Sequence, residues 1–268
     1  MKRVKHMLLL GIPIVVLLFC TFGYMFAVND PNHVDLTAKL IKPCSEYPFG
    51  TDHLGRCILS RILYGGKTTI GIVLVGSAIV IIIGTSIGLL LGQRNGEQNV
   101  MVESVLNAVT ALPPIAYLII FIGAWGNGVF TMLTAITVSL IMRLIKLVKT
   151  ETEIEFGKAY IMCAVASGAR RYQLLFVHIL PNIIRDVIHF VCMSCTDMVM
   201  AIVGFSFIGL GLGDNVIDWG IMVSEARGLI IIRPDIILYP VCFIFLSTLS
   251  FNLIAMEVEK RRAVPCLK

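Results

Sequence analysis

Residues 68–92 read TTIGIVLVGSAIVIIIGTSIGLLLG, a run of 25 residues without a charged side chain. A transmembrane helix needs about 20 apolar residues to cross a hydrocarbon core about 30 Å thick. This run is therefore long enough to span a bilayer. Gly84, Gly88 and Gly92 recur every four residues and share one helix face, where a second helix can approach closely. We expect that face to pack within the chain, and contact with a second membrane subunit is the alternative.

Five further apolar runs of near-spanning length lie at 7–28, 100–123, 129–148, 183–204 and 236–256. Of the 268 residues, 57% are apolar and 15% are charged, and the mean hydropathy is +0.89. A soluble domain carries about 25% charge, so these figures exclude a water-soluble fold and also disorder. We predict an all-α membrane protein, with six transmembrane helices in a single domain over residues 1–268. The first run is longer than a signal-peptide core, which indicates a retained helix.

The basic residues predict the orientation. If the N-terminus is cytoplasmic, 15 of the 22 Lys and Arg residues fall on the inner side, as the positive-inside rule requires. Both termini are then cytoplasmic, 29–67 and 205–235 are outer loops, and 149–182 is an inner loop. The net charge of +5 is small and scattered, so nucleic acid is not an expected partner, whereas membrane lipid is.

Enzyme motifs are incomplete. Gly66-Lys67-Thr68 resembles the end of a phosphate-binding loop, but Arg61 stands where the motif needs its first glycine. Gly204-Phe205-Ser206 hints at a serine nucleophile, yet no suitable general base accompanies it. We therefore expect no enzyme and no nucleotide bound by this chain, with an intramembrane enzyme or a stand-alone transporter as remote alternatives.

The cysteines leave two questions open. Cys44 and Cys57 share a polar outer loop, where they are either a disulfide or free thiols. Cys192 and Cys195 have a spacing found in metal sites and are followed by Asp197. On a helix Asp197 is turned away from both, so packing cysteines are the expectation, and no metal site is predicted.

Asp197 lies near the middle of the fifth run, where a carboxylate is costly unless it faces protein or water. It is either a buried, hydrogen-bonded structural residue or a residue lining a substrate path. Asp214 and Asp218 in the following outer loop could add negative charge to a path for cations, or they belong to a solvated loop.

The inner loop 149–182 is helix-like and contains several small residues before Gly168. Small side chains allow a short helix to fit a groove of another protein, although an amphipathic helix on the inner leaflet explains the pattern equally well. Pro181 suits the first turn of the fifth span.

This loop resembles the cytoplasmic coupling loop of ABC importer permeases, whose pattern is Glu-Ala-Ala, three residues, Gly, nine or ten residues, then Ile-x-Leu-Pro. The matching positions, which the resemblance implies contact the ATPase, are Met162, Cys163, Ala164, Gly168, Ile179, Leu180 and Pro181. The Glu and the first Ala of the pattern are absent here. Gly168 would provide a bend, and Pro181 a firm helix start.

Further motifs resemble the dipeptide/oligopeptide/nickel permease family, and they extend over residues 29–258. They are Phe49-Gly50-Thr51-Asp52-His53-Leu54-Gly55-Arg56, Leu59-Ser60-Arg61, Ala111-Leu112-Pro113, Ser206-Phe207-Ile208-Gly209-Leu210-Gly211, Trp219-Gly220-Ile221-Met222 and Phe251-Asn252-Leu253. The chain is similar to the second, shorter permease of a pair. His53 and Val203-Gly204 lean toward the nickel-type branch.

The resemblance implies a permease subunit of an ABC importer in a prokaryotic cell membrane. Its partners would be a second homologous permease, two ATPase subunits that bind ATP and Mg, and an extracytoplasmic substrate-binding protein. The expected substrate is nickel or another metal, free or chelated, with di- or oligopeptides as the alternative.

Overall fold

The computed structural model describes residues 2–93, 100–213 and 216–260, with side chains from residue 10 onward. Within these ranges the chain is helical, apart from loops and one isolated bridge between Thr51 and Cys57. The α-helices are α1 (Lys2–Phe22), α2 (Ile58–Gly92), α3 (Val100–Ala111), α4 (Pro114–Trp125), α5 (Val129–Phe156), α6 (Ala159–Ala166), α7 (Arg171–Gln173), α8 (Leu180–Phe207), α9 (Trp219–Ala226) and α10 (Asp235–Lys260). The predicted all-α class is confirmed.

The number of spans agrees only approximately with the six that the sequence predicts. Helices α2, α5, α10 and the continuous run Arg171–Phe207 are long and apolar enough to cross a membrane, and the bent pair α3–α4 makes a fifth crossing if it counts as one. The described apolar part of the first predicted span is the shorter stretch Leu10–Phe26.

The glycine face of α2 packs within the chain, against α5. A Cβ on Gly84 would lie 2.8 Å from the Leu144 side chain, and one on Gly88 would lie 2.6 Å from Val148 Cβ. Since real Cβ atoms do not approach so closely, α5 can lie against α2 only because these positions lack side chains. The predicted internal packing is confirmed for Gly84, Gly88 and Gly92, because α5 covers this face.

The predicted span at 100–123 is two helices rather than one. Helices α3 and α4 meet at 82°, at the Ala111-Leu112-Pro113 motif. Proline has no N–H to donate and disfavours helical geometry in the residue before it. The Tyr117 hydroxyl donates to the Val109 carbonyl at 2.7 Å across the bend, and the same carbonyl accepts from the Leu112 N–H at 3.3 Å.

Two spans continue into the predicted inner loop. Helix α5 runs to Phe156, eight residues beyond its predicted end at Val148. Its buried Lys149 makes this extension possible, because Nζ lies 3.0 Å from Glu103 Oε1 of α3 and 2.7 Å from Glu153 Oε1. The fifth span, predicted from Ile183, begins as α8 at Leu180 and is continuous with the helical turns that start at Arg171. The inner loop is therefore largely helical, as its sequence predicts, and both spans extend into it.

A partly buried ion network holds the opposite end of the bundle together. Glu225 of α9 accepts hydrogen bonds from Arg56 at 2.7 Å and from Arg61 at 2.8 Å. Arg56 Nε also donates to Asp52 at 2.7 Å. Nearby, the fully buried Trp219 donates its indole N–H to the Ile62 carbonyl at 3.0 Å. The signature residues of the predicted outer loop thus join that loop to α2 and α9.

Cys44 is exposed and Cys57 is buried, and both are free thiols. Of the two alternatives for this pair, the structure has the unpaired one.

Candidate functional site

The short helix α6 presents an apolar face outward. Met162 is 60% exposed and Val165 is 53% exposed, whereas Ile161 on the opposite side is 1% exposed and joins the core. Cys163 is also exposed, and Ala164 is half-buried. Tyr172 of α7 and Phe176 of the following helical turn are also exposed apolar side chains of this inner segment. We call the exposed residues Met162, Val165, Tyr172 and Phe176 the coupling face.

Gly168 ends α6 in the way that the sequence predicts. Its φ of +83° lies in the left-handed region, which favours glycine. The N–H of Ala169 donates to the Ala164 carbonyl at 3.0 Å, and the N–H of Gly168 donates to the Val165 carbonyl at 2.9 Å. These two bonds form a Schellman motif. The chain therefore turns sharply at Gly168 toward α7.

Pro181 lies in the first turn of α8, where the sequence predicts it. It follows a π-helical turn, Leu174–Ile179, in which the Leu180 N–H bonds back five residues to the Leu175 carbonyl. Because proline cannot donate and its ring crowds the preceding turn, a wider turn ahead of Pro181 is the expected accommodation. Ile179 is fully buried, and Leu180 is partly buried. These three residues form the junction between the inner segment and the span.

The inner segment 157–179, which lies between α5 and α8, is called the coupling segment. A hydrogen-bonded cluster joins it to both of these spans. The Tyr160 hydroxyl donates to Glu155 Oε2 at 2.5 Å, and Asn182 Nδ2 donates to the Tyr160 oxygen at 2.8 Å. Lys158 forms an ion pair with the same buried Glu155. Burial and then the hydrogen bond to Glu155 raise the pKa of Tyr160 to about 12, so the hydroxyl remains a donor at neutral pH. We call Glu155, Tyr160 and Asn182 the latch.

Sequence reasoning missed the latch. Its members come from the end of α5, the start of α6 and the start of α8, and no motif spacing connects them. The one available signal was an acidic residue at the end of a long apolar helix, and by itself this is typical of any solvated helix end.

Asp197 is exposed on the surface of α8, at mid-depth along the helix bundle. It shares its helix face with the exposed Met193 and Met200. Within the described ranges its carboxylate accepts no hydrogen bond, and the charge that acts on it is Arg143 of α5. Within this chain alone, Asp197 is therefore not enclosed as a buried, hydrogen-bonded structural aspartate.

Asp218 is neither a path residue nor part of a solvated loop. It is fully buried, and it caps α9 by accepting from the N–H groups of Gly220 at 2.7 Å and Ile221 at 3.1 Å. Burial raises the pKa of its carboxyl. Asp214 lies outside the described residues.

The remaining candidates do not converge on a reaction or metal centre. Cys195 is buried, Cys192 is half-buried and Asp197 points outward. In the part of the chain that the structure describes, no group of three His, Cys, Asp or Glu side chains is placed to hold a metal ion. Ser206 is buried beside Gly211 and Gly220, away from solvent.

Comparison with known proteins gives the family. The pattern described as "Binding-protein-dependent transport system inner membrane component" matches residues 84–262. The chain belongs to this family. It is thus a membrane-embedded permease subunit of an ABC importer, a transport component that works with ATPase and substrate-binding partners.

Two curated relatives cover most of this permease. The glutathione transport system permease protein GsiD of Pectobacterium atrosepticum is 30% identical over 231 residues, which are 86% of this chain and 77% of the relative. The probable D,D-dipeptide transport system permease protein DdpC of Escherichia coli is 29% identical over 240 residues, 90% of this chain and 80% of the relative. Neither name mentions a metal, so the nickel prediction has no support from them.

The fold also matches a solved importer. An inward-facing structure of the MetNI methionine ABC transporter aligns with a TM-score of 0.57 at 18% identity, covering 72% of this permease and 94% of that chain. The predicted importer-permease fold is therefore confirmed.

Proposed function

We propose that this permease forms part of the membrane path of an importer for short peptides. The observation that carries the proposal is the pair of relatives named for glutathione and D,D-dipeptide transport, each similar over more than three quarters of its length. Both named substrates are small peptides, which favours the peptide alternative over nickel. The complete importer would contain a second homologous permease, two ATPase subunits and an extracytoplasmic binding protein.

The coupling face is the surface that would meet an ATPase. Its apolar side chains lie on the segment predicted to be cytoplasmic, and exposed apolar patches rimmed by polar residues are typical of protein contacts. Met162 stands where the family pattern has Glu, so this contact would be apolar rather than ionic. Cys163, Ala164 and Gly168 would fix the shape of the face.

The helices explain how movement at this face would reach the path. Helix α5 extends to Phe156 and the run Arg171–Phe207 is continuous, so both spans enter the coupling segment without a flexible linker. The latch bonds the two spans to α6. When the ATPases close on ATP, α6 would be displaced, and α5 and α8 would tilt with it to open the path outward.

Uptake measurements test the substrate. Radiolabelled glutathione, a dipeptide and Ni²⁺ are offered separately to cells with and without this permease, and we expect only peptide uptake to depend on it. A dependence of Ni²⁺ uptake alone would contradict the proposal.

A charge on the coupling face tests the docking surface. Val165→Glu places a carboxylate in the apolar coupling face, where Val165 is 53% exposed, so we expect the ATPase to be lost from the purified complex. Leu36→Glu is the matched control, because Leu36 is 60% exposed in the predicted outer loop and its variant should retain the ATPase. Retention of the ATPase by both variants would show that the coupling face lies elsewhere.

A further inference from the structure

Two opposite charges lie at mid-depth in adjacent spans. Arg143 is 14 residues from the start of α5, and Asp197 is ten residues from the end of α8. Thr137 of α5 and Met198 of α8 both reach Gly76 of α2, which fixes the register of the two helices. At about 1.5 Å per residue, Arg143 is then about 7 Å farther than Asp197 from the predicted outer side.

Neither charge is enclosed by this chain. Asp197 is exposed and Arg143 is half-buried, and the pair interacts electrostatically. A spanning helix that turns an ionised carboxylate outward cannot place that face against lipid tails, because charge is costly in hydrocarbon. The face containing Asp197 must therefore meet water or protein in the assembled importer.

The signs of the two charges suit a zwitterion better than a cation. A divalent cation moving past Asp197 is also repelled by Arg143. A short peptide carries an ammonium group at one end and a carboxylate at the other, and its termini are about 7 Å apart in a dipeptide. This length is close to the axial offset between the two residues along the helices.

We propose that Asp197 and Arg143 are a transient binding site in the path, with Asp197 receiving the peptide ammonium and Arg143 the peptide carboxylate. This site rests on the proposed function, and it specifies what would be recognised in the substrate: the two charged ends of a short peptide. In the absence of peptide the two side chains attract each other. A passing peptide exchanges this attraction for two charge-assisted contacts, so the site need not hold its substrate tightly.

Charge-altering variants of the assembled importer test the site in proteoliposomes. We expect Asp197→Asn to lower dipeptide uptake about tenfold, which corresponds to one lost charged contact. Asp197→Glu keeps the charge and should recover most of the uptake. Arg143→Met should also lower peptide uptake. If the path carried cations instead, loss of this positive charge would raise cation uptake.

A control variant and an assembly measurement separate transport from folding. Val75→Asn places the same amide on an exposed position of α2 and should transport normally. Each variant is also purified to measure how much second permease accompanies it. If Asp197→Asn loses the second permease in proportion to uptake, Asp197 is an interface residue and the proposed site is wrong.

The result for the unaltered importer distinguishes the two proposals. If it imports no dipeptide, the proposed function fails and the site fails with it. If it imports dipeptide and Asp197→Asn does so equally well, only the site is overturned.

Discussion

Gly168 shows how one residue shapes the coupling segment. Its positive φ allows the Schellman motif that ends α6, and no heavy atom lies within 4 Å of the position where a Cβ would be. A side chain at this position therefore meets no steric barrier inside the chain. The energetic cost is limited to the left-handed backbone, about 1–2 kcal/mol for most residues and less for asparagine.

Substitution of Gly168 distinguishes coupling from folding. We expect Gly168→Trp to insert into the membrane normally but to abolish peptide uptake, because the indole projects from the segment that we propose meets the ATPase. Gly168→Asn tolerates the same φ with a small side chain and should retain most uptake. Membrane content and uptake are measured together, and normal uptake by Gly168→Trp would refute the coupling assignment.

Tyr160 is hydrogen-bonded to both other members of the latch, so one substitution that removes its hydroxyl tests the latch. Tyr160→Phe takes one charge-assisted hydrogen bond from the buried Glu155, a loss of about 1 kcal/mol after allowance for the partly exposed site. We expect the variant to assemble but to hydrolyse more ATP per peptide imported. Tyr47→Phe, which alters a half-buried tyrosine of the predicted outer loop, is the control. An unchanged ratio of ATP to peptide in Tyr160→Phe would show that the latch does not transmit movement.

At the scale of elements, the pairing of α2 with α5 is the main internal contact of the bundle. This contact is possible because the glycines on one face of α2 leave room for Leu144, Val148 and Thr152 of α5. In lipid no hydrophobic effect draws helices together, so close van der Waals contact must supply the stability.

A methyl group added on this face should therefore be costly. We expect Gly88→Ala to destabilise the protein by about 2 kcal/mol, in the range found for overpacked cores. Gly71→Ala is the matched control on the same helix, since its Cβ would meet nothing within 4 Å. Thermal unfolding in detergent measures both variants. Equal midpoints would contradict the packing that we describe.

At the scale of the whole molecule, polar networks hold both ends of the apolar bundle. One end has Asp52, Arg56, Arg61 and Glu225, and the other has the latch and the Lys149 ion pairs. Both networks connect segments that are distant in sequence. They hold the ends of the helices in fixed positions relative to one another.

Loss of one arginine should release the first network. The Arg61 side chain is almost fully buried, while its partner Glu225 is 31% exposed. Arg61→Met would leave Asp52 and Glu225 with less compensating charge, at a cost of about 2–3 kcal/mol. We expect faster proteolysis between residues 29 and 57. Arg227→Met is the control, since Arg227 is exposed and directly follows α9, the helix that contains Glu225. This variant should leave the cleavage rate unchanged.

Sequence alone was sufficient for features that depend on local pattern. Apolar runs locate the long spans, the glycine spacing of α2 predicts a packed face, and Gly168 marks the end of α6. The motif resemblance also predicts the importer family that the comparisons confirm. Each of these signals lies within one helix or one loop, where composition and periodicity are informative.

Only the tertiary structure decided where helices end and which charges meet. Helix α5 continues past Val148 because Lys149 finds Glu103 on another helix, and α3 and α4 are two helices because Pro113 bends the chain. Glu225 joins Arg56 and Arg61 across 169 and 164 residues, and Arg143 faces Asp197 from a different span. Such contacts depend on the register between helices, which the periodicity of a single helix does not specify.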